Sequence, residues 1–226
     1  MARTARASRG NYVYHVLNRG NGRADVFHKD EDFAAFVRLM REANEKIPVR
    51  LVGYCLMTNH LHLVVWPHGD GDLSRWMQWL MTAHVRRYHR HYHGSGHVWQ
   101  GRFKAFPIQD DDHYLTVLRY VERNPLRANL VARSQDWEWS SLKPTERSGP
   151  PGLLSDGSLA KPAQWTRVVN GEETEAELEA LRQSVDRGTP FGDVNWQTVT
   201  EADLGIEASM RPRGRPRLNP EEDSEP

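Results

Sequence analysis

The chain has 226 residues, enough for one core of ordinary size and an appendage. Lys plus Arg and Asp plus Glu each number 30, so net charge excludes nothing, but residues 1–23 carry five arginines and no acid, residues 84–104 are rich in Arg, Lys and His, and the last six residues are acidic. The single Cys55 excludes an intrachain disulfide framework and a Cys-based zinc site, and no apolar run nears the roughly 20 residues of a membrane span, so a soluble cytoplasmic protein is expected, its basic stretches fitting a nucleic-acid partner or ordinary surface charge.

Residues 11–18, NYVYHVLN, read as a strand, and the glycines of RGNGR at 19–23 break it. Residues 30–46, DEDFAAFVRLMREANEK, read as a helix, with acids in the first turn and Phe33, Phe36, Val37 and Met40 at helical spacing. Residues 49–57 and 60–66, VRLVGYCLM and HLHLVVW, read as a hairpin joined by a short Thr-Asn turn. Residues 72–92 form a predicted long helix with Leu73, Trp76, Met77, Leu80 and His84 on one stripe, closed by HGSG. A strand is expected from about Phe103 to residue 109, and a helix over 111–124 ends at Pro125.

The first six elements run strand, helix, strand, strand, helix, strand. That order predicts an α+β fold, a ferredoxin-like βαββαβ antiparallel sheet, with an added C-terminal tyrosine-bearing helix. Such a fold places its helices on one sheet face and leaves the other open. The core domain is expected over 10–142, with DWEWSSL at 136–142 packing its tryptophans on it. Residues 143–171, rich in Pro, Gly and Ser, read as a linker. Residues 172–210 read as a small helical segment, and 211–226 as a basic motif and acidic tail expected to be disordered.

His60 and His62 alternate on their strand, so they share a face, while Leu61, Leu63 and Val65 point the other way. Either that face is solvated, or the pair holds a divalent ion, and a third ligand would separate the two. In the last core helix, Tyr114, Val117, Leu118 and Val121 share the buried stripe. Tyr120 lies about 100° from the centre of that stripe, and Asn124 shares its flank one turn on. The two are either a boundary tyrosine and a helix-end asparagine, or a nucleophile and a metal ligand.

These pieces fit one chemistry. A cation on two imidazoles and an amide oxygen can polarise a phosphodiester, and a phenol can attack phosphorus to give a covalent phosphotyrosine. Amide and imidazole ligands suit Mg²⁺ or Mn²⁺, Mn²⁺ better given two nitrogens.

The segments LNRGNGRADVFHKDEDFAAF, GYCLMTNHLHLVV, HVWQGRFKAF, YLTVLRYVERNPLRANLV and WEWSSL, running in this order from about residue 12 to 142, resemble the HUH single-tyrosine transposases, and more closely their REP-associated branch. RGTPFGD and RPRGRPR resemble the tail some members carry. The resemblance implies that His60 and His62 bind the metal and that Tyr120 is the nucleophile. Asn124 stands four residues after the tyrosine, where the broader class often uses glutamine as third ligand. The implied substrate is single-stranded DNA with a REP-like imperfect hairpin preceded by a short guide sequence. Cleavage would leave a 5′-phosphotyrosine and a free 3′-OH, and rejoining is the reverse attack. A relative that keeps the fold and hairpin binding but has lost the chemistry is the alternative; an RNA binder of the same strand order is a third reading, though its sheet aromatics are not evident.

Candidate DNA contacts follow the basic loops. In RGNGR, Gly20 permits close backbone approach, Asn21 is polar, and Arg19 and Arg23 can meet phosphates; an ordinary turn is the other reading. In VWQGRFK, Gln100, Arg102 and Lys104 can reach DNA, and Trp99 either stacks on an unpaired base or lies in the core. Arg213, Gly214 and Arg215 centre an AT-hook pattern that fits the minor groove of A·T-rich duplex; a basic tail is the plainer reading. The histidines of 84–97 do not share one helix face and read as basic surface rather than a second metal site. No heptad or apolar patch compels a dimer, so a monomer is expected.

Overall fold

The computed structural model describes residues 8–145 and 147–207; Arg213, Gly214 and Arg215 of the AT-hook-like motif lie outside them. Four strands form one antiparallel sheet: β1 (Val13–Arg19), β2 (Val49–Met57), β3 (His60–Pro67) and β4 (Lys104–Ile108), in the order β2-β3-β1-β4. With α1 (Asp30–Lys46) between β1 and β2, and α2 (Asp72–Tyr92) between β3 and β4, this is the expected α+β, ferredoxin-like arrangement. Among the described residues, no helix is long and apolar enough to cross a membrane.

Local chemistry explains the boundaries. Asp30, Glu31 and Asp32 occupy the first turn of α1, where the helix dipole favours them. A two-residue turn, Thr58-Asn59, joins β2 to β3, and the Thr58 carbonyl accepts the Val26 and Phe27 amides. α1 and α2 cover one sheet face: Phe33, Phe36, Met40, Leu73, Trp76 and Leu80 pack on Tyr14, Val16, Leu51, Leu61, Leu63 and Val65. Each such side chain contributes about 1.5–3 kcal/mol when fully buried.

The second face is not open, which corrects the expectation from strand order alone. α3 (Asp112–Glu122) lays Val117, Leu118 and Val121 across Val13, Val52, Cys55, Val64 and Phe106. Gly53 is the residue that lets it in, since a Cβ there would stand 2.2 Å from the Leu118 side chain. The apolar stripe predicted for this helix has to be buried somewhere, and this sheet face is apolar too.

The segment 143–171 is a packed strap rather than a free linker. Leu153 is fully buried, and α5 (Trp165–Asn170) sets Trp165 and Val169 into the second core. The carboxylate of Glu122, itself fully buried, accepts from Ser141 Oγ at 2.7 Å, Lys161 Nζ at 2.9 Å and Trp165 Nε1 at 2.6 Å. Both sheet edges are covered. Trp139, Ser141 and Ser155 bond to the outer backbone of β2, and Phe191 pairs with Ile108 along β4. Trp137 and Trp139 pack against Phe33, as the sequence led one to expect. Two helices follow, α6 (Glu175–Arg187) and α7 (Val194–Leu204).

Candidate active site

Register places His60 and His62 on the α3 face of β3, opposite Arg19 and Leu17 of β1. Their rings are edge to face with centroids 5.1 Å apart. His62 is buried and His60 half-buried. Burial lowers both pKa values, that of His60 to about 4, with the nearby Arg19 charge adding to the effect. Both imidazoles are therefore neutral at pH 7 and carry a lone pair each.

Hydrogen bonds fix which nitrogen of His60 is bare. Asn59 Nδ2 donates to the Arg23 carbonyl at 3.1 Å, so its Oδ1 faces His60 Nδ1 at 2.6 Å. An amide oxygen only accepts, so Nδ1 carries the proton and Nε2 the lone pair. His62 Nδ1 is occupied by His15 Nε2 at 2.9 Å.

Asn124 opens the short α4 (Asn124–Arg127), which continues almost directly from α3 because Arg123 between them keeps helical dihedrals. Asn124 is buried with its side chain close to the His60 ring, and among the described residues its Nδ2 lacks a partner. Tyr120, half-buried on the flank of α3, stands edge-on to His62 with ring centroids 5.8 Å apart. Its hydroxyl bonds to no protein group among the described residues. Burial raises its pKa, and the Arg127 charge, whose guanidinium lies 4.2 Å over the ring, opposes the rise. Glu173 holds that guanidinium through both oxygens, at 2.6 and 2.7 Å. Tyr114 is fully buried on the stripe, away from the histidines.

The four candidates His60, His62, Tyr120 and Asn124 thus meet at one end of the sheet. Among the described residues, no cluster of three or more His, Cys, Asp or Glu could hold a metal. The donor set is instead two neutral imidazoles and an amide. A bare Nε2 on His60 next to a buried amide with an unused group suits a divalent cation better than it suits a closed protein network.

The basic loops converge on the same end. Asn21 N donates to the Val98 carbonyl at 2.9 Å, Gln100 N to the Arg19 carbonyl at 2.8 Å, and Gly20 bridges Trp99. Gly20 is required, since a Cβ would meet the Ala24 carbonyl at 2.1 Å. Arg19, Asn21, Arg23, Gln100 and Arg102 are exposed around this junction. Lys104 is also exposed, at the start of β4, with Nζ 3.4 Å from the Val185 carbonyl of α6. Trp99 is a correction to the DNA-contact set. It is 5 % exposed, packed against Phe27, Phe36 and His84, and donates to His84 Nδ1, so it has no free face for a base.

Three site neighbours escaped the sequence reading. His15 had a signal, since NYVYHVLN alternates and His15 falls in phase with Val13 and Leu17. Arg127, two helical turns after Tyr120, was likewise findable. Glu173 was not, because only tertiary packing brings it near.

Comparison with curated proteins finds no match. Among solved structures, a REP-associated tyrosine transposase bound to a REP hairpin matches with a TM-score of 0.50 at 20% identity, covering 77% of this chain and 99% of that one. A candidate transposase from Deinococcus radiodurans R1 matches at 0.39 and 16% identity, covering 54% of this chain and 96% of that one. The family described as "Transposase IS200 like" matches residues 8–124, more than half of the 226. The chain belongs to the IS200-like transposase family.

Proposed function

We propose that this transposase-family chain cleaves and rejoins single-stranded DNA beside REP-type hairpins, through a covalent 5′-phosphotyrosine formed on Tyr120. The observation that carries the reading is Tyr120 edge-on to His62 at 5.8 Å, with His60 and Asn124 in mutual contact beside it. His60 through Nε2, His62 through Nε2 and Asn124 through its amide oxygen would hold a divalent ion, Mn²⁺ or Mg²⁺. When bound, it would supply Lewis-acid polarisation of the phosphodiester.

The chain's own groups account for the rest. The phenol oxygen of Tyr120 attacks phosphorus, the P–O3′ bond breaks, and the 3′-OH leaves; the reverse attack by a 3′-OH restores tyrosine and a joined strand. Burial keeps the phenol protonated at rest, and Arg127 over the ring stabilises negative charge as the proton leaves. Arg19, Arg23 and Arg102 would meet backbone phosphates around the junction, with Gly20, Asn21, Gln100 and Lys104 alongside. The hairpin held by the structural neighbour supports a hairpin ligand here. Outside the described residues, Arg213, Gly214 and Arg215 would add contacts to A·T-rich duplex.

The test is a denaturing gel after incubation with Mn²⁺ and labelled single-stranded hairpins drawn from the flanks of the encoding gene. Wild type and Tyr114→Phe are expected to give a covalent adduct, and Tyr120→Phe none. Hairpin binding without an adduct in wild type, whatever the metal, would replace this reading with a non-catalytic hairpin-binding protein.

A further inference from the structure

His15 plays no part in the chemistry assigned to Tyr120, yet it occupies the heart of that site. Its ring is fully buried in mid-strand on β1. Phe106 packs edge-on at 4.9 Å and Tyr120 at 6.1 Å, centroid to centroid. Its Nδ1 is buried without a partner among the described residues. A phenylalanine would fill such a place without an unpaired polar atom, so packing gives no reason for an imidazole here.

Among the described residues, the one polar contact of this ring is to His62. His15 Nε2 lies 2.9 Å from His62 Nδ1, and the two rings are parallel to within 5° with centroids 5.0 Å apart. A nitrogen pair at that distance shares one proton. Two neutral arrangements exist. In one, His15 donates, and the proton of His62 sits on Nε2. In the other, His62 Nδ1–H donates, and His62 Nε2 keeps its lone pair. Only the second leaves His62 able to ligate through Nε2.

We propose that His15 is a positioning residue that accepts the Nδ1–H of His62, fixing its tautomer and ring orientation so that Nε2 is the ligating atom. The inference rests on the metal reading of His60, His62 and Asn124. A partner on the non-ligating nitrogen is how histidine ligands are commonly oriented, most often by a carboxylate or carbonyl. An imidazole in that role adds no negative charge where an anionic phosphodiester must enter. The matching arrangement on His60 uses the neutral Asn59 amide, so both ligands are held by uncharged acceptors.

The experiment combines calorimetry with nitrogen NMR on the full chain. Mn²⁺ affinity is measured for wild type, His15→Phe, His15→Gln and His62→Ala. Removing a second partner of a ligating histidine is expected to weaken binding about 10- to 100-fold, so His15→Phe should lose at least that lower factor. His15→Gln offers an oxygen near the same place and should retain most of the affinity. In ¹⁵N-histidine-labelled wild type saturated with diamagnetic Zn²⁺, His62 should be protonated at Nδ1 and show a scalar coupling across the hydrogen bond to His15 Nε2. That wild-type measurement decides the matter even if His15→Phe does not fold. Wild-type affinity in a folded His15→Phe, or ligation of His62 through Nδ1, overturns the role of His15 and leaves the metal reading intact. Failure of wild type to bind Mn²⁺, or equal binding by His62→Ala, overturns the metal reading and this inference with it.

Discussion

Four histidines of this protein, His15, His60, His62 and His84, are held neutral by their surroundings. Burial lowers His15 and His84 to about 3 and His60 to about 4, and holds His62 well below its usual value. In the unfolded chain each would titrate near 6.5. As pH falls below that value, the unfolded chain takes up protons that the folded one refuses, so stability is complete above pH 6.5 and lost on the way down to the folded values. Each group adds a slope of about 1.4 kcal/mol per pH unit in that window. His84 tests this outside the candidate site. Trp99 Nε1 donates to its Nδ1 at 3.2 Å, and a glutamine can accept in its place. Urea unfolding between pH 7 and 5 should show His84→Gln losing about one proton's worth of slope against wild type; an unchanged slope would mean that His84 is not held neutral. The pairing of His60 with His62 was legible from alternation, because a strand has a period of two. That both are desolvated was not, because the cover arrives from α3, more than 40 residues later in the chain.

At the level of elements, α3 does two things at once. Its apolar stripe closes the second core, and its flank presents Tyr120. The stripe was readable from 3.6-residue periodicity, and so was the flank position of Tyr120. What pins the helix was not readable. Glu122, fully buried, gathers Ser141, Lys161 and Trp165 from segments that look like loop and linker in sequence. A Pro- and Gly-rich composition reports on turns, not on whether the turns pack. Glu122→Ala would leave the buried Ser141 hydroxyl and Trp165 indole N–H without their acceptor, while the exposed Lys161 can turn to solvent. Leaving a buried donor without its acceptor costs about 1–3 kcal/mol, and urea denaturation should show a drop of at least that size. A loss below about 1 kcal/mol would place the network among surface pairs of little consequence.

At the level of the molecule, both edges of the sheet are occupied by later parts of the same chain: Trp139, Ser141 and Ser155 on β2, Phe191 on β4. Exposed edges invite pairing between molecules. The full chain is therefore expected to run as a monomer in light scattering, whereas a chain ending at residue 142 should associate, having lost the cover of β4 and the buried faces of α5 and α6. A truncated form that stays monomeric and folded would show that the appended segments are ornamental.

The same cover sets a timetable for folding. The sheet's neighbours β2, β3 and β1 can pair early, but β4 is finished only when Phe191 docks beside Ile108, and α3 is held only once Lys161 and Trp165 have reached Glu122. Contacts that close such long loops slow folding, because chain entropy is lost before they form. During synthesis α3 would thus stay loose until residues 161–165 have emerged, and the site proposed around Tyr120 could not assemble before then.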